Sequence, residues 1–416
     1  MRGLGGSACD PSEHTCELSG ERLKRYEAAR RAGKTWWEAL DEVSICDACK
    51  VFGTTGWKRR FRLEVIPKEG EIDLTEGMFP SGRVHPRGSS EYRVGGWMLR
   101  GGYFGTLMLQ FHGDEEILCC EILPTLRFIE QWGALGPKTS LGYGVIKIED
   151  VKLNGGSIET YDCCANSRVG RWWLNTQLNA TSPYNGICPA LTNMFFAKAR
   201  FRPDGDNWWR TLQEVEWLKD RKIPQKDASW TGRGQEPKGP YKISNAFPYT
   251  RLEHWYQCHK MFPIAPIVRN RLRYGNASVC DGNGETDWCK FVFGTTQGKR
   301  VQSKIRVSWA YRLPDSDEWE FRIWGWLPED TQSNGHPNNK RTQLLSNLRN
   351  CIGASDKTPR QWHSPQNGAL WSALNLTPTQ VCWFERQSGK SVADYLKALL
   401  NECKETSHGD TENTGR

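Results

Sequence analysis

"CDACKVFGTT", Cys46 to Thr55, has a near-copy later in the chain: "DWCKFVFGTT", Asp287 to Thr296. Each phrase runs from a cysteine and a lysine into an aromatic-Gly-Thr-Thr turn and then into a basic stretch. In the first copy that stretch is "WKRRFRLEV", where Phe61, Leu63 and Val65 alternate with Arg60, Arg62 and Glu64. In the second it is "KRVQSKIRVSWAYRL", where Ile305, Val307, Trp309, Tyr311 and Leu313 alternate with mostly polar residues. Alternation of period two predicts a strand with one buried face. The second strand turns through "PDSDE" into "WEFRIWGWL", which alternates again and predicts a hairpin. A phrase repeated at the separation of a domain predicts a duplicated domain.

The length of 416 residues agrees, since it exceeds what one core serves. With 20 tryptophans and 15 phenylalanines there is ample bulky core material. Four helices are predicted: "GERLKRYEAARRA" at 20–32, charged and Ala-rich, as a surface helix or part of an insertion, and, from apolar spacing, "PTLRFIEQWG" at 124–133, "RTQLLSNLRNCIG" at 341–353 and "SVADYLKALLNEC" at 391–403. Strands interspersed with a few helices, in duplicate, predict an α+β fold of two tandem ferredoxin-like (RRM-like) modules. Pattern breaks near "NGGSIETYDCCANS" place the first module at 1–160 and the second at 161–416, with a loose tail from about 406.

The net charge is +8, from 56 Lys and Arg against 48 Asp and Glu, so local basic faces matter more than the total. No stretch approaches the ~18 apolar residues of a membrane span, and the start carries no apolar signal core. The 15 cysteines in so long and Trp-rich a chain point to a reducing, cytoplasmic setting rather than a secreted disulfide scaffold. Four of them, Cys9 and Cys16 in "CDPSEHTC" and Cys46 and Cys49 in "CDAC", have the paired spacing of a structural zinc site. The alternative is unbound thiols packed near a turn.

"WGALGPKTSLGYGVIKIED", Trp132 to Asp150, links the second predicted helix to an alternating stretch expected to be a strand. Gly136 and Gly142 permit close backbone approach, while Lys138, Thr139, Ser140 and Tyr143 suit phosphates and bases. The loop is either a phosphate contact or a tight internal connection. The order helix, loop, strand is the reverse of a P-loop. Basic residues cluster in three places: Lys58, Arg59, Arg60 and Arg62 after the first turn; Lys299, Arg300 and Lys304 after the second; and Arg269, Arg271 and Arg273 in "PIVRNRLR". On a helix, Arg269 and Arg273 share a face and Arg271 does not. Such cations either track a nucleic-acid backbone or stand solvated on the surface.

The glycine-rich loop after the second helix, the F-G-T-T turn, "RGLGGSACDPSEHTC" and "PIAPIVRNRLR" together resemble the CRISPR-associated RAMP proteins. Within them, the chain resembles the first-numbered RAMP subunit of the type III-B Cmr effector complex. The resemblance implies an antiviral RNA-binding subunit that holds guide RNA and target RNA near the guide 3′ end and touches neighbouring RAMP subunits. It implies that the basic and glycine-loop residues above contact RNA. It also implies that the first module lacks its opening strand and helix. No catalytic motif is present, and no pair of the eight histidines is singled out. The alternatives are a RAMP endoribonuclease using His254 or His259 of "HWYQCH", and a scaffold that touches only protein.

Overall fold

A computed structural model describes residues 9, 16–67, 73–75, 83–87, 91–95, 102–104, 106–136, 139, 142–157, 194–205, 208, 256, 260–262, 264–273, 277–280, 286–294, 301–327, 332–333, 336–337, 340–354, 362–366 and 368–385. It is a mixed protein of helices and antiparallel strands.

The first half opens with helices α1 (Gly20–Arg31), α2 (Trp36–Glu42) and α3 (Asp47–Phe52). Thr35 and Glu38 form a reciprocal capping box at the start of α2, so this helix begins where local chemistry satisfies its free N–H groups. The tryptophan pair of "KTWWEAL" therefore lies in a helix, with Trp37 buried. Strand β1 (Phe61–Pro67) pairs antiparallel with β2 (Leu107–Gly113). A helical turn and the π-helical turn Leu118–Ile122 lead into α4 (Leu123–Trp132), which ends at Gly133 as its sequence predicts.

In the second half β3 (Met194–Arg202) is an internal strand of a sheet. Around it stand β4 (Met261–Phe262), β5 (Ile305–Val307), β6 (Ala310–Arg312), β7 (Trp319–Trp326) and β8 (Thr377–Glu385). The order is β4-β6-β7-β3-β8, and β5 also pairs with β7. Strand β3 is followed by helices α5 (Ala265–Arg273) and α6 (Asp287–Phe293), and β7 by α7 (Lys340–Ile352) and α8 (Ala369–Leu374). The last strand thus lies beside the first, and all pairings are antiparallel.

Both faces of β3 are covered, which its sequence "MFFAKARFR" already reflects. Phe195, Ala197, Ala199 and Phe201 face a core shared with Val268, Leu344, Leu348 and Trp371 from the helices. The opposite face carries Phe196, Lys198 and Arg200, and α4 of the first half packs there. Phe128 and Trp132 lie 5.3 and 5.9 Å from Phe196, and Trp132 lies 4.8 Å from Phe384. The apolar face of α4 thus covers the sheet of the other half.

Four expectations change or go unaddressed. The stretch 145–150 was expected as a strand and is irregular. No described strand offers it a ladder, and the Ile148 N–H is taken by the Glu130 carboxylate of α4 at 2.5 Å. The second basic strand is interrupted at Ser308–Trp309, between β5 and β6. Cys280 and Cys289, in a chain whose cysteines pointed to a reducing setting, form a disulfide with Cα atoms 6.0 Å apart. The predicted helix at 391–403, the tail and most of the expected boundary lie outside the described residues; at that boundary Asn154 and Gly155 form a turn.

Candidate nucleic-acid interface and metal centre

The four cysteines singled out by spacing come together. Their sulfurs all lie within 4.8 Å of one another. Cys46 is the N-cap residue of α3 and Cys49 stands in its first turn, so helix geometry turns both thiols to one side. Cys16 reaches them because Leu18 N–H donates to Thr55 O at 2.8 Å and the Thr54 hydroxyl donates to Cys16 O. Backbone N–H groups already point at sulfur: Cys9 N to Cys46 Sγ and Cys46 N to Cys16 Sγ, each 3.3 Å. A tetrahedral ion with metal–sulfur bonds of about 2.3 Å needs sulfurs about 3.8 Å apart. Cys9 Sγ and Cys49 Sγ are 3.6 Å apart, so the donor set fits a four-thiolate metal.

Electrostatics show what the ion would do. Burial, then the Cys46 and Cys9 thiols as hydrogen-bond partners and the Cys46 and Cys16 charges, pushes the Cys49 thiol well up. Burial likewise raises Cys16. Cys9 is also penalised by burial, but hydrogen bonds from the Cys16 backbone and the other thiols bring it below the usual thiol range. Four crowded thiols resist becoming four thiolates unless a cation is present to hold them. With four sulfur ligands no position is left open for chemistry.

The cluster packs against Leu18, Leu40, Val43 and Ile45, with Tyr26, Trp36 and Trp57 at its margin. Trp57 stacks on Trp36 at 5.8 Å and donates its indole N–H to Lys50 O, so its ring is a wall of this small core. Lys50 is buried beside Asp47, 3.0 Å away, and over the Trp37 ring at 4.4 Å.

The basic turn that follows is fixed by Gly53. Its φ is +89°, and a Cβ there would stand 2.7 Å from Arg59 N. Lys58 and Arg59 at the tip are exposed and make no ion pair among the described residues. Arg60 is different: it is bonded to Asp114 at 3.1 Å and lies over the Trp36 ring at 4.8 Å. Arg62 pairs with Glu64 at 2.6 Å on the exposed side of β1.

The second copy of the turn repeats this geometry. Gly294 has φ +80°, and a Cβ there would stand 2.8 Å from Ser303 N. Arg60 N donates to Val51 O at 2.9 Å, and Lys304 N donates to Val292 O at 2.7 Å. The matching cations are engaged, however. Arg269 donates to Phe293 O at 3.0 Å and Arg273 to Gly294 O at 3.2 Å, capping the C-terminal end of α6 from one face of α5. Burial, with Arg273 and Arg306 beside it, pushes Arg269 down to about 10. Lys304 lies over the rings of Phe291 and Trp326 at 5.2 and 4.8 Å. Arg271 is half-buried on another side of α5.

The glycine-rich loop docks on this second half. Trp309 N–H, freed where the strand is interrupted, donates to Gly142 O at 2.9 Å. A Cβ at Gly142 would stand 2.6 Å from Trp309 and 2.7 Å from the Ala265 methyl. Tyr143 packs on Trp309 at 4.5 Å, and burial raises its phenol. Arg306 donates to the Thr139 hydroxyl at 3.3 Å. Gly136 stands open at the surface. Lys138, Ser140, Lys299 and Arg300 lie outside the described residues, as do His254 and His259. Of the eight histidines, side chains are described only for exposed His112 and half-buried His363, in different halves.

Sequence reasoning missed the network that holds the loop's base. Buried Glu320 accepts from Arg200 at 3.1 Å and from Tyr311. Arg322 donates to the Tyr311 oxygen at 2.9 Å and to Gly133 O, at the end of α4, at 3.2 Å. The signal was present in "WEFRIWGWL", whose two charges occupy positions between residues of a buried strand.

The protein is thus an α+β chain with a cluster of four cysteines, whose donor set fits a metal ion, beside an exposed basic turn. Residues 4–147, which contain both, match the RAMP superfamily. No curated protein matches the chain. Among the described residues no helix is long and apolar enough to cross a membrane.

Proposed function

We propose that the protein is a non-catalytic, cytoplasmic RNA-binding subunit of a CRISPR type III-B (Cmr) effector in antiviral defence, built from two tandem ferredoxin-like modules. The observation that carries this reading is the exposed Lys58–Arg59 tip on the Gly53 turn, within the residues that match the RAMP superfamily. Cations held on a rigid turn neutralise phosphates, while base pairing between guide and target supplies sequence recognition. The reading places guide and target RNA near the guide 3′ end along this face, with other RAMP subunits as neighbours. The four cysteines hold one structural zinc, which supplies no reaction step and fastens α1 and α2 to the base of the turn.

The strand order of the second half, last beside first and third beside second, supports the ferredoxin-like assignment there. The repeated turn geometry supports the duplication. Incubating the purified protein with repeat-containing RNA in EDTA tests the non-catalytic part. The expected result is retention of intact RNA on a filter at low salt. Defined cleavage that His254→Ala or His259→Ala abolishes would replace this reading with that of an endoribonuclease, and absence of retention would leave a protein scaffold.

A further inference from the structure

The four-cysteine cluster and the Cys280–Cys289 disulfide occupy matching places in the two halves. The stretch "RGLGGSACD", Arg2 to Asp10, repeats as "RYGNASVCD", Arg273 to Asp281, with arginine, serine, cysteine and aspartate at the same spacing, so Cys9 matches Cys280. The match resumes at the helix, where Cys46, Asp47, Cys49 and Lys50 align with Thr286, Asp287, Cys289 and Lys290. The structure agrees: Cys46 and Thr286 are the N-cap residues of α3 and α6, and Cys49 and Cys289 are the third residue of each helix. Both matched pairs meet, since Cys9 Sγ lies 3.6 Å from Cys49 Sγ and Cys280 is bonded to Cys289.

Two cysteines belong to the first half alone. The matched pair is 40 residues apart there and 9 apart in the second half, and Cys16 lies in the extra segment. Cys46 stands where Thr286 caps α6 through its hydroxyl. Beyond the helix the two turns are alike. Gly53 and Gly294 have φ of +89° and +80°, and the strand amide closes on Val51 O and Val292 O at 2.9 and 2.7 Å. The likeness extends into the paired strands: Gly113 lies opposite Phe61 and Gly325 opposite Ile305, and a Cβ at either glycine would collide with the carbonyl of Arg60 or Lys304. A disulfide between the matched cysteines is thus enough to hold this turn.

We propose that the four-cysteine cluster is an oxidation site with a defined product: a peroxide converts it to two disulfides, Cys9–Cys49 and Cys16–Cys46, which hold the Lys58–Arg59 turn in place of an ion. The pairing rests on the two turns being copies, and only the release of an ion rests on the zinc reading. Cys9 and Cys46 are half-buried, so a small oxidant reaches one member of each pair. That thiolate attacks a peroxide oxygen, becoming a sulfenic acid and releasing hydroxide. Its partner thiolate attacks the oxidised sulfur, forms the S–S bond and expels a second hydroxide. Each pair gives two electrons to one peroxide, and with its four thiolates consumed the ion leaves. Once Cys9 and Cys49 are joined, Cys16 and Cys46 remain, with Cys46 N–H already 3.3 Å from Cys16 Sγ. The competing product is Cys46–Cys49 within α3, and the second half argues against it because its disulfide forms without a cysteine at the N-cap.

The test treats the full-length protein, reduced and zinc-loaded, with hydrogen peroxide. Digestion at lysine, arginine and aspartate then separates all four cysteines, because Asp10 follows Cys9 and Asp47 follows Cys46. Mass spectrometry is expected to find Cys9–Cys49 and Cys16–Cys46 links at least roughly tenfold above any Cys46–Cys49 link, with Cys280–Cys289 beside them. One zinc ion per chain is released, and RNA retention is the same before and after oxidation. The variant Cys16→Ser, Cys46→Thr gives the first half the cysteine pair of the second; it is expected to bind no zinc and still to form the Cys9–Cys49 link. A main Cys46–Cys49 or Cys9–Cys16 link, absence of Cys280–Cys289, or RNA retention lost on oxidation overturns the proposal. Reduced protein that takes up no zinc, or that retains no RNA, counts against the proposed function alone, since the links still decide the pairing.

Discussion

The two copies of the Gly-Thr-Thr turn share a backbone and differ in what surrounds it. Both turns end a short helix with a left-handed glycine packed against the returning strand, and both launch a basic residue whose N–H closes on a valine carbonyl. In the first half the helix carries metal-type thiols and the cations at the tip face solvent. In the second, the arginines of α5 cap the helix and the lysine lies on aromatic rings. The lesson is that a repeated turn is a backbone solution, and that its side chains have been divided between holding the fold and facing outward.

The four-cysteine cluster offers the largest break between the copies. Cys49→Ser is expected to lower bound zinc from one ion per chain to none and to melt α1 and α2, seen as lost far-UV helicity. Structural zinc sites contribute about 10 kcal/mol or more in zinc-finger peptides. Cys289→Ser, in the same turn of the second helix, is expected to keep the full zinc content by elemental analysis.

Next in size is the position shared by Glu320 and, in the first half, Met108. Glu320→Ala strands Arg200 and Arg322 in a buried site and is expected to cost about 3–5 kcal/mol by denaturant unfolding. Met108→Ala, at a side chain 54% exposed, is expected to stay within about 0.5 kcal/mol. The same carboxylate gives a pH dependence. Burial alone would raise Glu320, but Lys198, Arg322 and Arg200 outweigh it and hold the group below the usual carboxylate range. A depressed folded value means that the stabilisation is full above the ordinary carboxylate range and is lost as pH falls through the folded value. Glu320→Gln is expected to flatten that acid loss of stability in unfolding curves taken at successive pH values.

A smaller effect sharpens the equivalence itself. Gly53→Ala and Gly294→Ala meet the same left-handed backbone and the same close amide, so each is expected to cost about 1–3 kcal/mol, equal within error, by thermal unfolding. Unequal costs would mean that the turns are alike in sequence only.

Much of this was legible in the sequence, and the misses have physical causes. The basic strands were readable because alternation is a local signal, and α4 because Pro124 and Gly133 bracket an apolar stripe. The four cysteines were readable because the C-x-x-C spacing fits one helical turn. The copies were harder to register: helix α6 is one residue longer than α3, so Cys49 and Cys289 match at the helix start while Gly53 and Gly294 match one residue later. An added residue rotates a helix face by about 100°, which separates a thiol facing a metal-type cluster from one buried beside Cys280. The internal duties of Arg269, Arg273 and Tyr143 depend on partners more than twenty residues away, and no spacing rule reaches that far. The strand expected at 145–150 failed because a strand needs a neighbour as well as alternation.

The central claim is that RNA meets the first turn through Lys58 and Arg59 and not the second through Lys304. The salt dependence of single-stranded RNA binding tests it most directly. The double variant Lys58→Glu, Arg59→Glu is expected to bind more weakly and to lower the slope of log affinity against log salt by about 1.4, near 0.7 for each lost phosphate contact. Lys304→Gln is expected to leave the slope unchanged. A slope untouched in the double variant, or lowered by Lys304→Gln instead, would contradict the account.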